Sequence, residues 1–465
     1  MKQERSEMLG TMRMSRLVPT ISIPVMISML VQALYNVVDS IFVARYDPNG
    51  LTAVSLAYPI QMLMVALSVG MGIGISSLIS RKLGERAASQ ARTAAWNGLF
   101  VLIAGFGLFA CIGLFLAPTL MRMTVSESLA DADQILQMGT TYLHIVTTYS
   151  LGMFMAIFFE RLLQATGNTV LSMITQLSGA ITNMILDPIM IFGLLGCPAM
   201  GVSGAAIATV IGQFVSFLVG FLFNQFKNRE LALSFRDCRI DRSLLTNIFS
   251  VGLPSTIMQA IASVMNISMN GLLATFAEGN AAVNVLNVYF KLQSFVFMPV
   301  FGLGTGVIAI VGYNFGARNR ERIYSAIRVC LLWALTIMVI GTVIFMLFPT
   351  QLMSLFESAD TSEVTLAMTR LGVVALRVIS ISFFMAAIGI ILSNVYQAVG
   401  KGMYSLIMSL CRQLLVLIPA AWIIAKVTGD VNAVWWAFPV SEAISCVICL
   451  FLYRHLNKTL LSQLK

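Results

Sequence analysis

Residues 23–42 read IPVMISMLVQALYNVVDSIF, an apolar run with a single acid, Asp39, in its interior. Gln32, Tyr35, Asn36 and Asp39 fall three or four apart, so a helix gathers them into one polar stripe. A carboxylate inside a membrane span is costly, and by default it marks a functional site. Pro24, near the start of the run, has no N–H to give the helix and predicts a bend there.

The rest of the chain supports reading this run as a span. Of 465 residues, 58% are hydrophobic and 11% charged, against about 25% charged in an ordinary soluble domain. The apolar runs are long enough for helices of roughly 20 residues, and they lack the period-two alternation of barrel strands. Twelve spans are expected, at 17–43, 52–79, 93–117, 138–163, 170–194, 202–224, 246–275, 281–312, 326–348, 368–396, 402–425 and 432–454. The basic residues fall mostly between them. With the N-terminus in the cytoplasm, the inner loops take Arg13 and Arg16, Arg81 to Arg92, Lys227 to Arg242, Arg318 to Arg328, and Arg454 to Lys465. The outer loops keep only Arg45, Arg122, Arg370 and Lys426. That asymmetry places both termini in the cytoplasm of a multi-pass cell (inner) membrane protein. It also accounts for the net charge of +9 without nucleic acid as a partner.

The two halves repeat. Ile23-Pro24 pairs with Leu253-Pro254, and Gly70-x-Gly72-x-Gly74 with Gly302-x-Gly304-x-Gly306. Gly84 pairs with Gly316, and Gln164-Ala-Thr-Gly167 with Gln397-Ala-Val-Gly400. An even number of spans per half makes this a parallel repeat about an axis along the membrane normal. The expected fold is all-α: two six-helix lobes, 1–225 and 246–465, joined by a cytoplasmic linker at 226–245, around a central cleft. The glycine runs read as close helix approach. No strand precedes them, so they do not read as nucleotide loops.

Other chemistries find little support. The seven cysteines are scattered and odd in number, with no disulfide framework. Cys446-x-x-Cys449 lies in a span and lacks a redox-motif context. The two histidines, His144 and His455, are far apart, and no HExxH or P-loop motif occurs. An enzyme and a channel are both disfavoured, and no cofactor is expected.

The candidate site lies in the first lobe. Asp187 is in the outer half of span 5, with Asn183 four residues before it on the same face, and Thr209 is early in span 6. Pro188 frees a backbone carbonyl about a turn earlier. Two carboxylates, an amide and a hydroxyl can hold Na⁺ through hard oxygen ligands. They can equally hold a proton, because two close carboxylates do not both ionise cheaply. In the second lobe Lys291, Arg377, Arg412 and Glu442 lie well inside their spans. Glu442 can pair with Arg412, and Lys291 is a candidate for substrate contact or gating. Glu160 and Arg161 lie near the inner end of span 4, where they pair or reach the interface. Met26, Met29, Met62, Met64, Met153 and Met265 offer an adaptable binding surface.

The chain resembles the MATE (multidrug and toxic compound extrusion) transporters, and within them the DinF/MepA-like branch. The resemblance covers the whole chain. It rests on Pro24 with Leu34-Tyr35-Asn36-x-x-Asp39, on Asn183-x-x-x-Asp187-Pro188, on Gly201-Val-x-Gly204-Ala-Ala-x-Ala-Thr209, and on Gly312-Tyr-Asn-Phe-Gly-Ala317. It implies a monomeric secondary-active antiporter that exports amphipathic, often cationic, small organic compounds. Inward Na⁺ or H⁺ would drive it, through Asp39, Asn183, Asp187 and Thr209. The intramembrane cations of the second lobe keep two alternatives open: a lipid-linked sugar or lipid flippase, and an exporter of an anionic or zwitterionic metabolite.

Overall fold

The computed structural model describes residues 5–125, 131–356 and 363–464, without the side chains of 35–41, 44, 48 and 363–366. Among the described residues there is no strand. Ten helices among the described residues are long and apolar enough to cross a membrane, and counting each of two bent helix pairs as one span brings the number to twelve.

The first six spans are α1 (Met14–Tyr46), α2 (Pro48–Gly84), α3 (Ala88–Cys111, continued through a π-helical turn to Thr124), α4 (Ala132–Thr148 with Leu151–Ala165), α5 (Thr169–Phe192) and α6 (Val202–Lys227). The second six are α7 (Arg242–Leu273), α8 (Gly279–Gly316), α9 (Arg320–Leu347), α10 (Glu363–Ser380 with Phe383–Ala398), α11 (Gly402–Leu410, a π-helical turn, then Leu417–Thr428) and α12 (Ala437–Thr459). Helix α1 runs through Pro19 and Pro24 without a break.

The repeat is visible in local geometry. The bent spans are α4 and α10, at 45° and 52°, so each half carries its bend in its fourth span. Both end in the same cap. Gly167 and Gly400 adopt φ of +76° and +83°, left-handed values that favour glycine. The next amides, of Asn168 and Lys401, reach back to the carbonyls of Leu163 and Tyr396 at 2.8 Å each. That is the 6→1 bond of a Schellman cap.

Four of the repeated glycines, Gly70, Gly84, Gly302 and Gly316, are where the lobes cross. A side chain on Gly84 would collide with the carbonyl oxygen of Tyr313, and one on Gly316 with that of Arg81. A Cβ on Gly70 would lie 2.5 Å from the Thr256 nitrogen, and one on Gly302 2.8 Å from the Met26 nitrogen. Thr256 and Met26 are themselves repeat mates, so α2 lies on α7 as α8 lies on α1. Hydrogen bonds between the lobes gather at the same end. Ser77 donates to the carbonyls of Gln397 and Ala398, and Asn314 Nδ2 to that of Leu9 at 3.0 Å. Arg322 Nη2 reaches the carbonyls of Leu9 at 3.1 Å and Met12 at 2.8 Å. The lobes therefore close at the end that bears the arginine-rich loops.

Candidate functional site

The geometry of the site follows from how closely α6 lies on α5. A Cβ on Gly212 would sit 2.8 Å from the Gly179 carbonyl, and one on Gly204 2.5 Å from that of Met190. Small residues thus let the two backbones meet, and Thr209, between these glycines, is pressed against α5. Asn183 Nδ2 donates to Asp187 Oδ1 at 3.1 Å and to Thr209 Oγ1 at 3.3 Å. All three side chains are buried. The amide nitrogen is spent on these two bonds, and Asn183 Oδ1 is left buried with no hydrogen-bond partner among the described residues. An amide oxygen, a carboxylate and a hydroxyl at one point fit a small hard cation or a shared proton.

Helix α1 supplies the other side. Gln176 Nε2 on α5 donates to Gln32 Oε1 at 2.7 Å. Further along, the rings of Phe42 and Phe192 meet at 6.4 Å. These two contacts bracket position 39 of α1 and bring it level with Asp187. The side chains of Tyr35, Asn36 and Asp39 lie outside the described residues.

A cavity of about 330 Å³ adjoins this cluster and is lined by first-lobe residues alone. Met29, Met62, Met153 and Ile157 give it apolar walls, and Gln32, Glu160, Arg161, Asn183 and Thr209 give it polar ones. Of the other methionines singled out in the sequence, Met64 is fully buried and Met26 packs against Gly302.

Glu160 lies near the inner end of α4, as the sequence predicts, but not in the pair expected there. It lines the cavity and forms no ion pair with its neighbour Arg161 within 4 Å. Consecutive residues on a helix do not face one another, and that rule, applied to the sequence, is the signal that would have separated them. Arg161 is buried and donates from Nη1 to Gln164 Oε1 at 2.9 Å. Gln164 in turn donates to Ser172 at 3.0 Å. Glu160 is half-buried, with no hydrogen bond among the described residues.

The second-lobe candidates do not join this site. Arg412 and Glu442 pair at 3.5 Å, between α11 and α12. Lys291 is exposed and lies over the Phe356 ring at 5.8 Å. Arg377 is exposed on α10.

This arrangement, two six-helix lobes with a buried oxygen cluster and a cavity in one of them, defines a class of membrane transporter. The MatE family model matches twice, at residues 24–189 and 254–423, once in each lobe, and the chain belongs to that family. It is a multi-pass membrane transporter and not an enzyme. It is 26% identical over 446 residues to the multidrug export protein MepA of Staphylococcus haemolyticus, covering 94% of this chain and 93% of that one. With MepA of Staphylococcus aureus (strain MRSA252) it shares 25% over 443 residues, covering 93% and 92%. Among solved structures, a MATE in complex with MaL6 superimposes with a TM-score of 0.90 at 26% identity, covering 99% of both chains. A MOP superfamily transporter of Pyrococcus furiosus, described as having a binding pocket of reversed polarity, gives 0.89 at 26% identity and covers 100% of both. A multidrug resistance MATE transporter in its outward-facing conformation gives 0.89 at 25%, covering 99% of both.

Proposed function

We propose that this chain exports amphipathic organic cations across the cell membrane in exchange for inward Na⁺ or H⁺. The observation that carries this reading is that one cavity touches both kinds of surface. Its methionine-rich wall suits varied apolar bodies, and Glu160 offers a charge to a cationic group. Its polar end is Asn183 and Thr209, two members of the oxygen cluster. A substrate in the cavity and a cation on the cluster then compete for the same oxygens, directly or through α1. Differential binding of this kind is what couples two fluxes.

The lobes exchange access by rocking about their crossing. Closure at the basic end, taken as cytoplasmic, makes the present arrangement outward-facing, and the names of the MepA relatives agree with drug export. Glu160 and Arg161 both line the cavity, and Arg161 is buried and donates to Gln164 while Glu160 is half-exposed, so the acid is the freer of the two to meet a cationic group. Lys291, Arg377 and Arg412 do not line the cavity, so these second-lobe cations lend nothing to the flippase or the anion exporter; the guanidinium that does line it is that of Arg161, bonded to Gln164.

The test is export from reconstituted vesicles under imposed Na⁺ and H⁺ gradients. Wild type should respond to one gradient, and Asp39→Asn and Asp187→Asn should lose that response. Gradient-driven export by both variants at the wild-type rate would end the coupling proposal.

A further inference from the structure

The segment between the lobes is held at the membrane surface in a way that topology alone does not require. Trp96, on α3, donates its Nε1 hydrogen to the carbonyl of Ser234 at 2.9 Å. Asn97 Nδ2 donates to the carbonyl of Arg239 at 2.8 Å, and its Oδ1 accepts from the Asp241 amide at 3.0 Å. Arg92 Nε meets Asp237 Oδ2 at 2.6 Å. Four polar contacts from two turns of α3 thus fix residues 234–241 in place.

What they hold up is amphipathic. Phe235 is 87% exposed and Ile240 72% exposed. The Phe235 ring lies 5.6 Å from that of Trp96, which lies 6.1 Å from Phe100. Trp96, Phe100 and Ile103 fall four and three apart and continue as a stripe down α3, where Ile103 is 44% exposed. A tryptophan at the start of a span sits at headgroup depth, so the stripe runs from the headgroups into the acyl region. Arg236 and Arg239 are exposed beside it. The nearby acids are engaged: Asp237 with Arg92, and Asp241 with the Ser243 and Leu244 amides that open α7.

We propose that this platform is a docking site for an acidic phospholipid of the surrounding bilayer. Its phosphate is held by Arg236 and Arg239, and its acyl chain lies along Phe235, Trp96 and Phe100. Two guanidiniums can share the oxygens of one phosphodiester and more than neutralise its single negative charge, and basic patches next to a span select anionic lipid. The repeat supplies a built-in contrast. The second-lobe counterparts of Trp96 and Phe100 are Arg328 and Leu332, so this aromatic pair is not repeated at the matching place on α9. This inference stands apart from the transport proposal and does not depend on it.

The test is native mass spectrometry of the full chain from micelles holding equimolar phosphatidylglycerol and phosphatidylcholine. Wild type should retain phosphatidylglycerol preferentially. Arg236→Gln with Arg239→Gln should lower that preference by about five-fold per arginine. Arg318→Gln with Arg328→Gln removes the same charge at the same end of the second lobe and should leave the preference within two-fold, roughly the reach of a distant screened charge. No preference in wild type, or an equal loss in both variants, would overturn the proposal; the latter would mean diffuse basic charge only. As a second reading, brominated phosphatidylglycerol should quench wild-type fluorescence more than that of Trp96→Phe. Equal quenching would remove Trp96 from the site. Melting temperature and size-exclusion profile establish that each variant is folded, and the single Arg236→Gln and Arg239→Gln variants serve if the double is not.

Discussion

The two lobes share a frame and differ in what it encloses. They repeat the bend in the fourth span, the left-handed glycine cap after it, and the glycines at which α2 and α8 cross the opposite lobe. At the level where the first lobe places Asp39, Asn183 and Asp187, the second has Asn266 and Asn270 on α7, joined by a 3.1 Å hydrogen bond. On α11 it carries Ile418-Pro419 in place of Asp187-Pro188. Its own intramembrane acid, Glu442, is tied to Arg412. The difference teaches that packing positions survive duplication together, because the crossing glycines Gly70 and Gly302, and Gly84 and Gly316, meet partners in the opposite lobe that are themselves repeat mates. Charged positions are free to diverge lobe by lobe.

The strongest attempt to break this contrast is Asp187→Asn. Initial rates of gradient-driven efflux should fall by about 100-fold, as expected for loss of a charge that a site needs (~2.7 kcal/mol). Retention of more than half the wild-type rate would make the first lobe no different from the second. Glu160→Gln tests the cavity charge. Affinity for a permanently cationic dye should drop by roughly ten-fold, the scale of one charge-assisted contact, with a neutral analogue unaffected in a competition assay. The frame itself is tested by Gly84→Ala and Gly316→Ala. Each should cost about 1–3 kcal/mol, the usual penalty of overpacking, and lower the melting temperature equally. A marked inequality would mean that the crossing is not symmetric. The smallest effect is expected for Arg412→Met with Glu442→Met. Replacing both partners of a largely buried ion pair with apolar groups is near neutral, within about 1 kcal/mol, and transport should persist. A ten-fold loss of transport would give the second lobe a polar role that the contrast denies it.

Much of this was legible in the residues. Apolar length, loop charge and the 230-odd-residue offset carried the span number, the duplication and the fold. Asn183, Asp187 and Thr209 were recoverable because i, i+4 spacing fixes a shared face and because glycines flank Thr209 on α6. Glu160 was not recovered. Adjacent opposite charges look like a pair in one dimension, whereas helical geometry points them about 100° apart. The role of the glycines was half legible: close approach could be read, but not that the approach is between lobes. The second-lobe cations looked like a set only because their depths were similar, and depth says nothing about which way a helix turns its face.

The clasp between Arg322 and the carbonyls of Leu9 and Met12 has a consequence for biosynthesis. Met12 and Arg322 are 310 residues apart. At about 5–20 residues per second, synthesis leaves those carbonyls waiting roughly 15–60 s for their partner. During that interval the first lobe is in the bilayer with its half of the crossing uncovered, Gly70 until α7 arrives with Thr256 and Gly84 until α8 arrives with Tyr313. A newborn chain is therefore most exposed to wrong partners at the surface that later closes the transporter; the seventh and eighth spans cover the crossing, and Arg322 at the start of the ninth completes the closure.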